Sequence, residues 1–202
     1  MQKITLFLLA CLLSLTSQAN EPLTSGPEGS SMAVFAGGCF WCTEADFDKV
    51  PGVLDTVSGY IGGTADSANY PDVSAGVTDH IEAVAVFYDP DKTSFSQLVE
   101  AFWPTIDPLT PNAQFCDSGP QYRSALFHAN PEQEQILRAS LDNLTASGRL
   151  EGSIVTEILP QTAFYPAEEY HQDYYQKNPV RYNFYRSRCG RDDRLEELWG
   201  EK

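Results

Sequence analysis

The segment Ile81-Glu82-Ala83-Val84-Ala85-Val86-Phe87-Tyr88 constrains this chain most. In a strand, alternate side chains point to opposite faces. One face would carry Ile81, Ala83, Ala85 and Phe87. The other would carry Val84, Val86 and Tyr88, with Glu82 in phase. Both faces are apolar, so the strand belongs inside a sheet that is covered on both sides. Asp89-Pro90 stops it, because proline has no N–H for a ladder.

The surrounding pattern supplies the layers. A short apolar strand at 33–36 runs into Gly37-Gly38, and a helical pattern covers 39–50. An alternating strand is predicted at 53–60 and the buried one at 80–88. Gly62-Gly63 and Asn69-Tyr70-Pro71-Asp72 lie between them as loop signals. Ser94-Phe95-Ser96-Gln97 reads as a capping box, opening a helix that runs to about Trp103. A strand is expected at 121–128. A helix follows, capped by Asn130, with Pro131 at its first position and Gly148 at its end. A strand at 154–159 and a helix at 167–177, halted by Asn178-Pro179, complete the series. This order implies an α+β domain, a mixed β-sheet with helices packed in layers. From Val180 onward no period is visible, so the C-terminal segment with Cys189-Gly190 is expected to be irregular and mobile.

The N-terminus reads as an address. Lys3 precedes an apolar run over 4–13 that is too short to span a bilayer, and Ser17-Gln18-Ala19 has small residues where a signal peptidase reads. Residues 1–19 are therefore expected to be a cleaved signal peptide, and the chain an exported one, in a bacterial periplasm. Lipidation at Cys11 is the weaker alternative, since the apolar run continues past it. Residues 20–31, rich in Ser, Pro, Gly and Glu, read as a flexible lead-in. Residues 32–202 are expected to form one domain. The formal net charge of −15 argues against nucleic acid or an anionic membrane as a partner. A monomer is expected. Three histidines without ligand spacing make no metal site.

With Cys11 removed, Cys39, Cys42, Cys116 and Cys189 remain. An even number in an exported chain commonly means two structural disulfides. The surroundings of Cys39 point elsewhere. In Gly37-Gly38-Cys39-Phe40-Trp41-Cys42, an apolar strand meets two glycines and then a helix start. Unsatisfied N–H groups and partial positive charge at that start favour a thiolate, the reactive form of cysteine. Phe40 and Trp41 follow directly and suit a methyl-thioether group, because sulfur–aromatic contacts are favourable. Glu82, an acid in apolar surroundings, would have a raised pKa and stay protonated near neutrality. From spacing alone, an exposed strand-end glutamate fits equally well. Tyr70 and Tyr122 occupy loop or strand-start positions, where core packing is the commoner role. His80 and His171 read as structural or peptide-binding residues.

The run Gly37-Gly38-Cys39-Phe40-Trp41-Cys42-Thr43-Glu44-Ala45-Asp46-Phe47 resembles the hallmark Gly-Cys-Phe-Trp segment of A-type peptide methionine sulfoxide reductases. Further blocks match in order. They are Gly59-Tyr60-Ile61-Gly62-Gly63, Tyr70-Pro71-Asp72-Val73 with Gly76, His80-Ile81-Glu82-Ala83-Val84, Asp117-Ser118-Gly119-Pro120-Gln121-Tyr122-Arg123-Ser124, and Ala167-Glu168-Glu169-Tyr170-His171-Gln172. The resemblance spans 32–199, which makes it specific. It implies a ferredoxin-like core and an enzyme that reduces the S epimer of methionine sulfoxide, free or in peptides and proteins.

The resemblance also implies the site roles. Cys39 would be the nucleophile and become a sulfenic acid. Glu82 would be the acid, with Tyr70 and Tyr122 donating to the sulfoxide oxygen and Asp117 organising that cluster. Phe40 and Trp41 would hold the methyl group. No cofactor is implied, only an external thioredoxin-like dithiol as reductant. A C-terminal cysteine usually resolves the sulfenic acid in this family, which points to Cys189. Cys42 is the rival, at a position where many members have Gly. The role of Cys116 stays open. Two other readings compete: a thiol–disulfide oxidoreductase using Cys39-x-x-Cys42, and a non-catalytic binding module with two structural disulfides.

Overall fold

A computed structural model describes residues 21–200. The expected leader at 1–19 and Cys11 lie outside the described residues. In chain order the elements are β1 (Ser31–Gly37), α1 (Phe40–Phe47), β2 (Val53–Ile61), α2 (Tyr70–Ser74), β3 (Ile81–Tyr88), α3 (Phe95–Phe102), β4 (Ala113–Gln114), β5 (Asp117–Ser118), β6 (Ser124–His128), α4 (Pro131–Ala146), β7 (Glu157–Pro160), β8 (Phe164–Pro166), α5 (Tyr174–Lys177), α6 (Pro179–Arg188) and α7 (Arg191–Trp199).

The main sheet has the order β7-β6-β1-β3-β2-β8, and β4 pairs only with β5. Leaving aside the short α2, β4 and β5, the elements β1, α1, β2, β3, α3 and β6 run as strand, helix, strand, strand, helix, strand, with β6-β1-β3-β2 antiparallel across the sheet. That is the expected ferredoxin-like core. β7 adds to its edge in parallel through α4, and β8 closes the other edge against β2.

β3 is buried along its whole length, as its doubly apolar pattern requires. Val84 and Val86 join Phe35, Phe40, Phe47, Leu98 and Phe102 under the helices. Ala83 and Ala85 pack on the other face with Val34, Ile61, Phe127 and Phe164. Glu82 shares the helix-covered face with Val84, and this brings it beneath the start of α1. The capping box at Ser94 and Gln97 forms in full, and Asn130 caps α4 through Gln133 N–H, as expected.

Several local expectations are corrected. Residues 121–128 are not strand throughout: a 3-10 turn at Pro120–Tyr122 precedes β6, so Tyr122 sits on a turn. The strand expected at 154–159 starts only at Glu157. Tyr70 opens the short helix α2, because Asn69 caps it through Asp72 N–H and Pro71 suits a first turn. No single helix covers 167–177. A 3-10 turn at Glu169–His171 is separated from α5 by Asp173 at φ 52°. The cause is Gln172, whose side chain accepts from Ser58 N–H at 2.9 Å and donates to Ser58 O and Ala167 O, pinning the segment to β2.

The C-terminal segment is not irregular. It forms α6 and α7, broken at Gly190 (φ 63°). Its residues alone carry little helical period, but tertiary contacts supply what propensity lacks. Tyr182, Arg191, Leu195 and Trp199 are buried, and Arg186 pairs with Asp46 of α1 at 3.0 Å. At the other end, Leu23 N–H donates to Phe164 O at 2.8 Å, which ties the lead-in to the edge of the sheet. Among the described residues, no helix is long and apolar enough to cross a membrane.

Candidate active site

Cys39 is the N-cap residue of α1, at the point where β1 ends. The chain reaches it through Gly38, held at φ +81°, where an added Cβ would lie 2.4 Å from the Gln114 side chain. This turn drops Cys39 onto the end of the sheet beside β3. Phe40 N–H donates to Glu82 Oε2 at 3.1 Å, so the first free amide of the helix is spent on the buried carboxyl.

Cys39, Phe40, Trp41, Tyr70, Glu82, Asp117 and Tyr122 line one small cavity of about 70 Å³, together with Tyr185. The residues singled out from sequence thus converge, with two exceptions. Cys42 lies behind Cys39, packed against Tyr174 and Tyr182. Cys189 is not among the residues that line this cavity. It ends α6 and is disulfide-bonded to Cys116, while Cys39 and Cys42 are free and buried. A module held by two disulfides does not fit that pattern.

The electrostatics of the cavity follow from its closure. Burial pushes Glu82 up to about 8, with Asp117 and Cys42 adding to the rise and the Phe40 N–H opposing it. Its carboxyl is therefore largely protonated at neutral pH. Burial also raises Asp117, against the hydrogen bond from Tyr185 and the charge of Arg191. Tyr70 is pushed up to about 12, first by burial and then by Glu82 and Cys39, and Tyr122 is raised for the same kind of reason. Both phenols remain donors.

The helix start is not the only influence on the Cys39 thiol. Burial pushes Cys39 well above the usual thiol range, and its neighbours Cys42, Glu82 and Asp117 add to this. The low value belongs to Cys42, at about 7, because Cys39 donates a hydrogen bond to it and Arg191 and Arg186 stand nearby. The two thiols titrate as a pair, with the Cys39 hydrogen bond the leading cause of the lowering at Cys42 and the charges of Arg191 and Arg186 adding to it. The helix start alone does not prevail here, because its first amide already serves Glu82.

Three residues support the site: Tyr185 and Glu168, to which the sequence assigns no role, and His171, which it reads as structural or peptide-binding. Tyr185 donates to Asp117 Oδ2 at 2.5 Å and lines the cavity with Cys39. Its only trace in the sequence is its place one helical turn before Cys189. His171 Nδ1 accepts from Trp41 Nε1 at 3.0 Å, and its ring packs against Phe40 and Tyr70 at centroid distances of 4.9 and 4.3 Å. Burial holds His171 down at about 4, so it is the neutral acceptor the indole needs. Glu168 accepts from Tyr70 N–H and Tyr60 O–H at 2.8 Å each, fixing the loop that presents Tyr70. Trp41 also stacks on Tyr174, with centroids 3.7 Å apart. The aromatic wall is therefore tied together by its own hydrogen bond and ring contacts.

A nucleophile candidate, a neutral buried acid and two phenols converge on a cavity with an aromatic wall. Residues 31–202 match the family model for peptide methionine sulfoxide reductase. The chain belongs to that family. The peptide methionine sulfoxide reductase MsrA of Halalkalibacterium halodurans is 47% identical over 84% of this chain and 96% of its own length. Among solved structures, methionine sulfoxide reductase A of Corynebacterium diphtheriae superposes with a TM-score of 0.68 at 36% identity, over 77% of this chain and 78% of that one. Mxr1 from Saccharomyces cerevisiae in reduced form gives a TM-score of 0.71 at 33% identity, over 77% and 90%. The same yeast protein in complex with Trx2 aligns at 24% identity with a TM-score of 0.52, over 75% and 89%, a likeness of fold alone.

Proposed function

We propose that this protein reduces methionine S-sulfoxide, free or in proteins, with Cys39 as nucleophile and a thioredoxin-like dithiol as the final reductant. The observation that carries this reading is Glu82, a carboxyl held protonated at neutral pH by burial, in the same cavity as Cys39 and two phenols.

The substrate methyl group lies against Phe40 and Trp41. Its oxygen accepts hydrogen bonds from Glu82, Tyr70 and Tyr122. Cys39 passes its proton to Cys42, whose thiolate the two arginines favour, and attacks the sulfur. Glu82 protonates the departing oxygen as the sulfur–oxygen bond breaks. The released oxygen then bonds to the Cys39 sulfur as the bond between Cys39 and the substrate sulfur breaks, which leaves Cys39 as a sulfenic acid and frees methionine with its sulfur reduced by two electrons. Cys42 is the thiol in contact, so it rather than Cys189 attacks the sulfenic acid, giving a Cys39–Cys42 disulfide and water. A dithiol then reduces that disulfide by exchange.

The reading as a thiol–disulfide oxidoreductase draws on the same Cys39–Cys42 pair. It leaves Glu82, Tyr70, Tyr122 and the aromatic wall without a task. Turnover of the two separated sulfoxide epimers with dithiothreitol decides between them. Wild type should reduce only the S epimer, and Cys39→Ser should fall below roughly a thousandth of that rate. Disulfide exchange without reduction of either epimer would establish the rival. Export is part of the same proposal, supported by the pattern over 1–19. Mature protein from the periplasmic fraction should begin at Asn20, and a donor of the cell envelope would then replace a cytosolic one.

A further inference from the structure

Arg191 opens α7, and only 2% of it is exposed. Burying a guanidinium is unfavourable unless it is paired and hydrogen-bonded. Its ion pair is loose: Asp46 Oδ2 lies 3.9 Å away, and that carboxylate already accepts from Arg186 at 3.0 and 3.2 Å. Nor does α7 need Arg191 as its anchor. Leu195 and Trp199 are buried, Trp199 Nε1 donates to Ile106 O at 3.0 Å, and Arg194 pairs with Asp107 at 2.9 Å. What Arg191 holds instead is the backbone around the cavity. Nη1 donates to Gly37 O at 3.3 Å, where the Gly37-Gly38-Cys39 turn begins, and Nη2 donates to Thr105 O at 2.7 Å. The guanidinium lies over the Phe115 ring, 4.4 Å from its centre, and cation and ring attract each other. Phe115, at φ 56°, stands two residues before Asp117 of the cavity. One side chain thus touches both segments that bring Cys39 and Asp117 together. Its charge is felt there too. At Cys42 the hydrogen bond from Cys39 lowers the thiol first, and Arg191 adds to that ahead of Arg186. At Asp117 burial raises the carboxyl, and Tyr185 and then Arg191 oppose the rise.

We propose that Arg191 is a positioning residue for sulfoxide reduction, a buried clamp that fixes the Cys39 turn against the Phe115–Asp117 segment. This rests on the sulfoxide-reductase reading above and deepens it. Glu82, Tyr70 and Tyr122 hold the substrate oxygen independently of α7, so the clamp sets where the nucleophile stands relative to that oxygen. Attack at sulfur is sensitive to a small misplacement of the thiol. Arginine suits the task, because its planar fork donates to two carbonyls and stacks on a ring at once. A lysine ammonium is a point charge and does not reproduce all three contacts. Arg191 touches none of the reacting atoms and acts through Gly37 and Phe115.

The test compares Arg191→Met and Arg191→Lys with wild type, using methionine S-sulfoxide and dithiothreitol. Alkylation of Cys42 against pH, read by peptide mapping, is the second measurement. Arg191→Met should lower kcat by about 10–100-fold with KM within about twofold of wild type, and should move the Cys42 profile to higher pH. Arg191→Lys keeps the charge, so its Cys42 profile should stay near that of wild type while kcat remains reduced. A folded methionine variant with wild-type kcat would overturn the clamp. So would a loss of kcat with an unmoved Cys42 profile in that variant, the mark of a merely structural residue. Should Arg191→Met fail to fold, Arg191→Lys decides: wild-type kcat overturns the clamp, and a loss of kcat at unchanged KM supports it. Reduction of neither epimer by wild type would overturn the reductase reading itself, a failure that no variant is needed to recognise.

Discussion

At Glu82 a single buried carboxyl links burial to chemistry. Its folded value near 8 exceeds the usual carboxyl value because β3 carries it beneath α1, away from water. The acid form is needed for oxygen departure, so the rate should fall as pH rises through about 8. Glu82→Gln keeps a hydrogen-bond donor of the same shape but has no proton to give. We expect its kcat to drop by about 10²–10⁴ and the alkaline decline to disappear from what remains. A variant that retained the decline would move the titrating group elsewhere in the cavity. The strand pattern around Glu82 left a buried acid and an exposed strand-end glutamate equally open, and the resemblance of His80-Ile81-Glu82-Ala83-Val84 to the family's block pointed to the acid. Tyr185 was not legible, and His171 was read only as structural or peptide-binding, since each is tied to a partner far along the chain, Asp117 and Trp41.

The same limit governs the elements. β3, the capped helices α3 and α4 and the Gly-Gly-Cys junction are local in cause and were readable from their own residues. α6 and α7 are not local in cause. They carry aromatic and charged residues without an apolar stripe, and their helical state depends on contacts with α1 and the loop after α3. Arg186 is the main tie: it binds Asp46 at 3.0 Å and Asp192 at 2.7 Å, and Asp46 is nearly buried. Removing the guanidinium would leave that carboxylate with Arg191 at 3.9 Å and Lys49 at 3.7 Å. Arg186→Ala should therefore cost about 3 kcal/mol, as breaking a buried pair does, read as a lower urea midpoint. It should also raise the Cys42 pKa, because Arg186 helps hold that thiol down. Thiol-alkylation rate against pH would show this, and an unchanged midpoint would mean that α7 alone anchors the C-terminus.

Over the whole molecule, the buried acids set how stability responds to pH. Glu44 of α1 is fully buried and, like Glu82, is pushed up to about 8, by burial first and by Asp48 and Asp173 beyond that. Unfolded, each would titrate near the ordinary glutamate value of about 4.3. The raised folded values mean that the native state keeps protons which the unfolded chain releases. Their contribution is complete below the unfolded value and is lost as pH climbs toward 8, at up to about 1.4 kcal/mol per pH unit for each group. Stability should thus decline from pH 5 to pH 8, where many proteins are near their maximum. Glu44 lies outside the cavity, so it permits a clean test. Glu44→Gln removes one titrating proton while keeping the shape of the side chain. Urea unfolding at pH 5.5, 6.5 and 7.5 should show the variant gaining on wild type with each step, by about 1–3 kcal/mol across the range. Parallel pH profiles for the two proteins would mean that Glu44 is charged in the fold. The strand that encloses Glu82 and the helix that encloses Glu44 would then differ in how far they exclude water.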